Sequence, residues 1–115
     1  MATFEQGDVV RVPFPYTDKA TRQHRPALVV SAGPIGENAT LLWVAMITSA
    51  DNRPWPGDVA VADLEGAGLP APSVIRPSKI ATIEARHAER LGCLPVAGLA
   101  QVLDQIGTYL TPERG

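Results

Sequence analysis

Residues 10–31 read VRVPFPYTDKATRQHRPALVVS, two apolar runs separated by a proline-flanked corner and a basic stretch. The first run extends over Val9–Phe14 and alternates in the period of a half-buried strand. The second run, Ala27–Ser31, is apolar and rich in β-branched residues. It is entered through Pro26, whose missing N–H suits the start of a strand. The stretch therefore predicts two strands joined by a loop over residues 15–25.

The predicted loop carries more positive than negative charge, with Lys19, Arg22, His24 and Arg25 against Asp18. The whole chain is slightly acidic, with 10 Lys+Arg, 12 Asp+Glu and a net charge of −2. Nonspecific coating of nucleic acid needs an excess of basic charge, so a general coat protein is excluded. The loop is then either a solvated connection or a local site that faces phosphate.

The rest of the chain is divided into short segments by 11 prolines and 10 glycines, which favours strands over long helices. Thr40–Thr48 is apolar on both faces and is predicted as a central strand. Further strands are predicted at Asp58–Ala62, Ser73–Arg76 and Lys79–Ile83, and a second loop at Ala50–Gly57.

From Val96 onward, apolar residues recur at the spacing of an amphipathic helix: Leu99, Leu103, Ile106 and Leu110. We assign them to core or dimer contacts. The length of 115 residues predicts one domain, residues 1–115. Five or more short strands followed by a C-terminal helix predict a mainly β fold, a small barrel with the helix packed against it.

Several classes of site and location are not supported by the sequence. A single cysteine, Cys93, predicts a small buried residue, and no Cys/His spacing is typical of a zinc site. We see no signal peptide, and the longest apolar run, Leu41–Ile47, is far shorter than the ~20 residues that cross a bilayer. We expect a cytoplasmic protein with no cofactor, no metal and no membrane partner.

Five motifs occur in one order along the chain: GDVVRVPFPYTD, HRPALVVS, VAMITS, PSVIRPSKIATI and RLGCLP. Together with the terminal helix they resemble the MazF/PemK toxin family over about residues 6–110. The resemblance implies an SH3-like barrel of the CcdB/MazF type, a homodimer and a cognate antitoxin. It also implies a metal-independent endoribonuclease that cuts single-stranded RNA at short sequences, by 2′-hydroxyl attack that leaves cyclic phosphate and 5′-hydroxyl ends.

The resemblance assigns catalytic roles to Arg25, in the RPA motif, and Thr48, in the ITS motif. Arginine stays charged at ordinary pH, so it suits a developing phosphorane better than proton transfer. The threonine hydroxyl would donate to a nonbridging phosphate oxygen. The alternatives are an exposed loop arginine and a strand-end threonine that caps a turn.

The base that removes the 2′ proton stays open. His24 carries the side chain suited to proton transfer near neutral pH, and the alternative is an exposed loop histidine. The family often has an acidic residue shortly before the arginine, where this chain has Ala20 and Thr21. Asp18 is the nearest carboxylate upstream. His87 lies in a polar stretch and is predicted at the surface.

Substrate binding is predicted for a second group of residues. Trp55 and Arg53 share a loop, a pairing expected to stack on an unpaired base; the alternative is a tryptophan partly buried by its prolines. Arg76 and Lys79 are candidates for flanking phosphates, or else solvated strand charges. Ser49 offers the same hydroxyl chemistry as Thr48.

Two other functions remain open. A gyrase poison of the CcdB kind would need a C-terminal Trp-Gly-Ile, whereas this chain ends in Thr-Pro-Glu-Arg-Gly. A catalytically silent barrel that binds only a protein partner is the second, because a fold does not determine a function.

Overall fold

The structure, a computed structural model, describes residues 3–14 and 23–113. Six strands are present within these ranges: β1 (Asp8–Phe14), β2 (Gln23–Val29), β3 (Leu41–Ser49), β4 (Val59–Ala60), β5 (Ser73–Glu84) and β6 (Glu89–Cys93). Two α-helices, α1 (Leu64–Ala67) and α2 (Val96–Leu110), and two single 3₁₀ turns, Glu37–Ala39 and Ala85–His87, complete the described elements. The predicted mainly β fold with a C-terminal helix is confirmed.

The strands form one antiparallel sheet in the order β4-β5-β3-β2-β1-β6. The sheet is curled into a half-barrel with β4 and β6 at its edges. β3 pairs with β2 on one side and β5 on the other, so its predicted central position is confirmed. Its continuous apolar sequence follows from burial on both faces.

Each face of the sheet buries its own apolar cluster, because successive side chains of a strand point to opposite faces. The helix face, defined by Val9, Leu28, Ala45, Ile47 and Ile75, is covered by α2. The cluster on the opposite face consists of Phe4, Val10, Val12, Ala27, Val29, Leu42, Val44, Met46 and Ile83. These two alternating sets determine which residues share a face in the candidate site.

β5 is a single strand where the sequence predicted two. Met46 of β3 pairs with Arg76, but the preceding residue Ala45 pairs with Ile80, so residues 77–79 form a bulge in β5. Pro77 lies inside this bulge and is fully buried. A proline interrupts a hydrogen-bond ladder and a bulge bends its strand, so the PSK segment curls the sheet without ending the strand.

α2 packs one side against the helix face. Val102 is fully buried there, and Leu99 and Ile106 pack against the same cluster. Leu110 remains 77% exposed at the last turn. None of the helices in the described part of the chain is long and apolar enough to span a membrane.

Three local predictions are wrong. β2 begins at Gln23, so His24 and Arg25 belong to a strand and not to the loop, and Pro26 is its fourth residue. Pro26 has no N–H to donate, and the hydrogen-bonded pairing of β2 with β3 starts only after it, at Ala27. Cys93 is exposed, because it ends an edge strand.

Two short elements were not predicted from the sequence. β6 carries Glu89 and Arg90 and lacks an alternating apolar run, since an edge strand is only partly covered. α1 has four residues, and its boundaries are set locally. The Asp63 carboxylate accepts from the Gly66 N–H, and Gly68 ends the helix with a φ of 72°.

Candidate active site

The opposite face changes from apolar to polar at one end of β2 and β3. The β2–β3 pairing ends at Ala27 opposite Met46, and the same register continued by two residues sets Arg25 opposite Thr48. Both follow the alternation of the opposite-face cluster, which contains Ala27 and Met46. The two residues predicted to be catalytic therefore lie on one face, each two residues beyond the last paired positions of β2 and β3. Arg25 is half-buried there.

The Thr48 hydroxyl is held by a residue that the sequence analysis did not single out. Asn52 donates from Nδ2 to Thr48 Oγ1 at 2.6 Å. Thr48 itself is only 9% exposed. A signal was available, because an Asn shortly after a strand end is typical of a turn whose amide bonds back to the chain. The sequence alone did not say that its partner is the Thr48 side chain.

Arg76 lies on the same face, opposite Met46, and is 7% exposed. Its Nε is 3.4 Å from the carboxylate of Asp58, and its Nη2 donates to the backbone carbonyl of Arg53. A buried guanidinium needs such partners, because its removal from water is costly when it is unpaired. The predicted phosphate contact of Arg76 stays a prediction, while the structure gives the side chain an internal role.

Trp55 lies over this buried arginine. The Arg76 guanidinium carbon is 4.3 Å from the centre of the indole ring, and the Lys79 ammonium is 5.8 Å from it. Both distances are within the range of cation–π attraction. The ring remains 40% exposed, so part of it faces solvent.

The loop over residues 50–57 is tied to the rest of the fold at both ends. The backbone N–H of Trp55 donates to Asp58 Oδ2 at 3.0 Å, and the N–H of Asp58 donates to the carbonyl of Trp55 at 3.1 Å. At the other end, the N–H of Ala50 donates to the carbonyl of Pro72 at 3.0 Å. The loop thus has a defined conformation beside Thr48, with Arg53 exposed on it.

Two of the predicted residues are not brought to this face. Ser49 alternates to the helix face, and its Oγ accepts from the N–H of Asp51 at 3.1 Å, the contact of a turn. His24 is exposed and, by the same alternation, points away from Arg25. Asp18, Lys19 and Arg22 lie outside the described residues. His87 is exposed, as predicted.

The described cations of the candidate site are Arg25, Arg53, Lys79 and Arg76, of which Arg76 pairs with Asp58 and Lys79 lies near the Trp55 ring. Within residues 3–14 and 23–113, no group of three His, Cys, Asp or Glu side chains is placed to hold a metal ion. The arrangement offers hydrogen-bond donors, positive charge and one aromatic surface. These are the groups that bind a single-stranded nucleic acid.

The sequence matches a known toxin family, and the fold matches solved toxin structures. The family described as PemK-like, MazF-like toxin of type II toxin-antitoxin system matches residues 5–110. No curated protein sequence matches the chain significantly.

Three solved structures illustrate the structural similarity. MazF of Deinococcus radiodurans is 24% identical, with 96% of this chain and 98% of that chain covered and a TM-score of 0.73. A MazE–MazF structure from the same organism is 23% identical over 98% of this chain and 100% of that chain, at a TM-score of 0.75. An endoribonuclease of a mycobacterial species, in complex with its cognate antitoxin, is 20% identical. The match covers 99% of this chain and 100% of that chain, with a TM-score of 0.70.

At these identities the solved structures show the fold, and the family match over nearly the whole chain shows the membership. The chain belongs to the PemK-like, MazF-like toxin family of type II toxin–antitoxin systems.

Proposed function

We propose that this toxin is a sequence-specific endoribonuclease that cleaves single-stranded RNA without a metal. The observation that carries the proposal is that Arg25 and Thr48 lie at the polar end of one sheet face, just beyond the last paired residues of β2 and β3. A guanidinium and a hydroxyl on one face can both reach a single phosphate. A scattered arrangement of the same residues could not.

In the proposed reaction the 2′-hydroxyl oxygen attacks the neighbouring phosphorus, and the bond to the 5′ oxygen breaks. The products are a 2′,3′-cyclic phosphate and a 5′-hydroxyl. Arg25 stabilises the extra negative charge of the phosphorane, and Thr48 donates a hydrogen bond to a nonbridging oxygen. Fixed donors of this kind are often the largest catalytic contribution, because they need no reorganisation during the reaction.

The proton transfers are assigned to His24 as the candidate base and acid. Because strand alternation points His24 away from Arg25, its role requires RNA that passes around the end of β2. A His24→Ala variant that keeps full kcat at every pH would remove this assignment.

RNA binding is assigned to Arg53 and Trp55, within the loop over residues 50–57, and to Lys79. The exposed part of Trp55 offers a stacking surface for one unpaired base, and Arg53 and Lys79 offer positive charge for flanking phosphates. Arg76 supports this surface from beneath through Asp58 and the indole ring. The binding role predicted for Ser49 requires RNA that also reaches the helix face at the end of β3.

The proposed protein partners are a cognate antitoxin and a second copy of the chain. Support comes from the MazE–MazF structures and from the mycobacterial endoribonuclease bound to its antitoxin, which share this fold. We propose that the antitoxin covers the RNA-binding face, so that inhibition and substrate binding exclude each other, and that the toxin acts in the cytoplasm. A complex that holds antitoxin and intact RNA at this site together would contradict the first part.

The test is cleavage of a long unstructured RNA by the purified, antitoxin-free protein in excess EDTA. The wild type should give discrete cuts with 5′-hydroxyl ends. Arg25→Ala should lower kcat by about 10²–10³-fold, the usual effect of removing one donor to a developing oxyanion.

Arg11→Ala is the matched control. Arg11 lies on the adjacent strand β1, and its guanidinium is 54% exposed and 4.0 Å from Glu89. Its removal should leave cleavage within about twofold, because exposed pairs contribute little. If the folded wild type cuts no RNA, the function becomes that of a silent barrel that binds a protein partner.

A further inference from the structure

The hydrogen bond between Asn52 and Thr48 has a direction that matters for the proposed chemistry. The Asn52 amide nitrogen donates to Thr48 Oγ1 at 2.6 Å. A threonine hydroxyl has one proton and two lone pairs. Because one lone pair is occupied by the amide, the hydroxyl proton points elsewhere. The hydroxyl is then available as a donor to a third group.

We propose that Asn52 is a positioning residue that holds the Thr48 hydroxyl as a hydrogen-bond donor toward the scissile phosphate. The inference rests on the proposed function, since the phosphate is the acceptor in that reaction. Asn52 itself need not touch the RNA. It acts through Thr48, because its bond to the hydroxyl oxygen disfavours the rotamers in which the hydroxyl would donate its proton to a protein acceptor.

The rest of the turn is built without the Asn52 side chain. The Asn52 backbone N–H donates to the carbonyl of Ser49 at 3.1 Å, and the Asp51 N–H donates to Ser49 Oγ at 3.1 Å. Ala50 is bonded to Pro72. Since these contacts hold the backbone of the turn, the amide of Asn52 is left with the Thr48 hydroxyl as its contact. A substitution of Asn52 should therefore change the hydroxyl more than the fold.

The experiment compares Asn52→Asp and Asn52→Ala with the wild type in the EDTA cleavage assay. An ionised carboxylate only accepts hydrogen bonds, so in Asn52→Asp the hydroxyl proton turns toward residue 52 and away from the phosphate. We expect kcat to fall about 100-fold, and KM to rise only the few-fold that an added negative charge in this turn produces. Asn52→Ala leaves the hydroxyl free to rotate, and its kcat should fall about tenfold.

Ala50→Asp is the control for the added charge. Ala50 is exposed in the same turn, and its side chain has no part in the contact with Thr48. A negative charge at residue 50 should raise KM a few-fold through repulsion of RNA and leave kcat unchanged. If Ala50→Asp lowers kcat as much as Asn52→Asp, the effect is electrostatic and the inference is overturned.

The hydrogen bond is also measurable without catalysis. In ¹⁵N–¹H spectra the Asn52 side-chain amide resonances should shift in Thr48→Val, which keeps the shape but removes the acceptor. Unchanged resonances would overturn the inference whatever the activity. A wild type that cuts RNA while Asn52→Asp cuts equally well overturns the inference alone. If the wild type cuts no RNA, the proposed function is overturned. The part of this inference that makes the scissile phosphate the acceptor is then overturned as well.

Discussion

The two edges of the sheet each carry an ion pair between an aspartate and an arginine, but the two pairs differ in burial. At the β4 edge the side chains of Asp58 and Arg76 are 10% and 9% exposed. At the β6 edge the side chain of Asp8 is 6% exposed, but that of Arg90 is 56% exposed. Both side chains of the Asp58–Arg76 pair are largely buried, whereas only the aspartate of the Asp8–Arg90 pair is buried.

This difference shows which edge supports the candidate site. Burial of two charges is costly, and a pair persists in the interior only when further partners complete it. Arg76 has such partners in the carbonyl of Arg53 and the ring of Trp55, both in the loop beside Thr48. Arg90 has none of this enclosure. Its pKa is raised by the hydrogen bond and the charge of Asp8, and its guanidinium stays in water.

The largest expected effect is that of Asp58→Ala. This substitution leaves a buried guanidinium without its carboxylate and also removes the acceptor of the Trp55 N–H. We expect a loss of about 3–5 kcal/mol in the free energy of unfolding, measured by urea denaturation. The cleavage of RNA should fall as well, because the loop loses its support.

The matched substitution at the other edge is Asp8→Ala. Asp8 also accepts from the Glu5 N–H at 2.9 Å, so its removal costs some stability. Arg90 is solvated, so it does not become a buried charge without a partner. We expect a loss of about 1–2 kcal/mol in the free energy of unfolding, and no change in the kcat of the folded protein. Equal losses in the two variants would show that burial does not separate the two pairs.

A smaller effect than that of Asp58→Ala is expected from Trp55→Ala, which tests RNA binding at the β4 edge. Loss of a stacked base should weaken RNA binding by about 1–3 kcal/mol. The measurement is the Kd for an uncleavable 2′-deoxy analogue of a cleaved RNA. Trp43→Ala is the control, since Trp43 is 51% exposed on β3 outside the candidate site. If both variants bind equally weakly, Trp55 is not the stacking surface.

The smallest effect is expected from Glu84→Gln, at a pair that is exposed on both sides. The hydrogen bond and the charge of Arg86 lower the pKa of Glu84 below its ordinary value of 4.5. A lowered pKa in the folded state stabilises the protein above that ordinary value, and the contribution is lost as the pH falls through the folded pKa. The side chains of Glu84 and Arg86 are 50% and 74% exposed, so water and salt screen the pair.

The difference in Tm between the wild type and Glu84→Gln should therefore be slight at pH 7 and should disappear as the pH falls through the lowered pKa of Glu84. It should also disappear at about 1 M salt. A large difference in Tm that persists in salt would show that this exposed pair stabilises the protein as strongly as the buried pair at the β4 edge.

Local patterns in the sequence were sufficient for much of the fold. The alternation in Val9–Phe14, the doubly apolar run that became β3 and the helical spacing after Val96 all predicted elements that are present. These patterns are reliable because burial of one or both faces imposes a period on the chain. The family resemblance also pointed to Arg25 and Thr48, which lie on one face of the sheet and whose catalytic roles stay predictions.

The contacts that define the candidate site were decided by the tertiary structure. Arg76 and Asp58 are 18 residues apart, and only the β4–β5 register brings them together in a buried pair. The sequence around Arg76 is equally consistent with a solvated charge. Likewise, Ser49 and Thr48 are chemically similar neighbours, and the pleat of β3 alone separates them to opposite faces. Sequence determined which groups are available, while long-range pairing and burial determined which of them meet, because these depend on residues far apart in the chain.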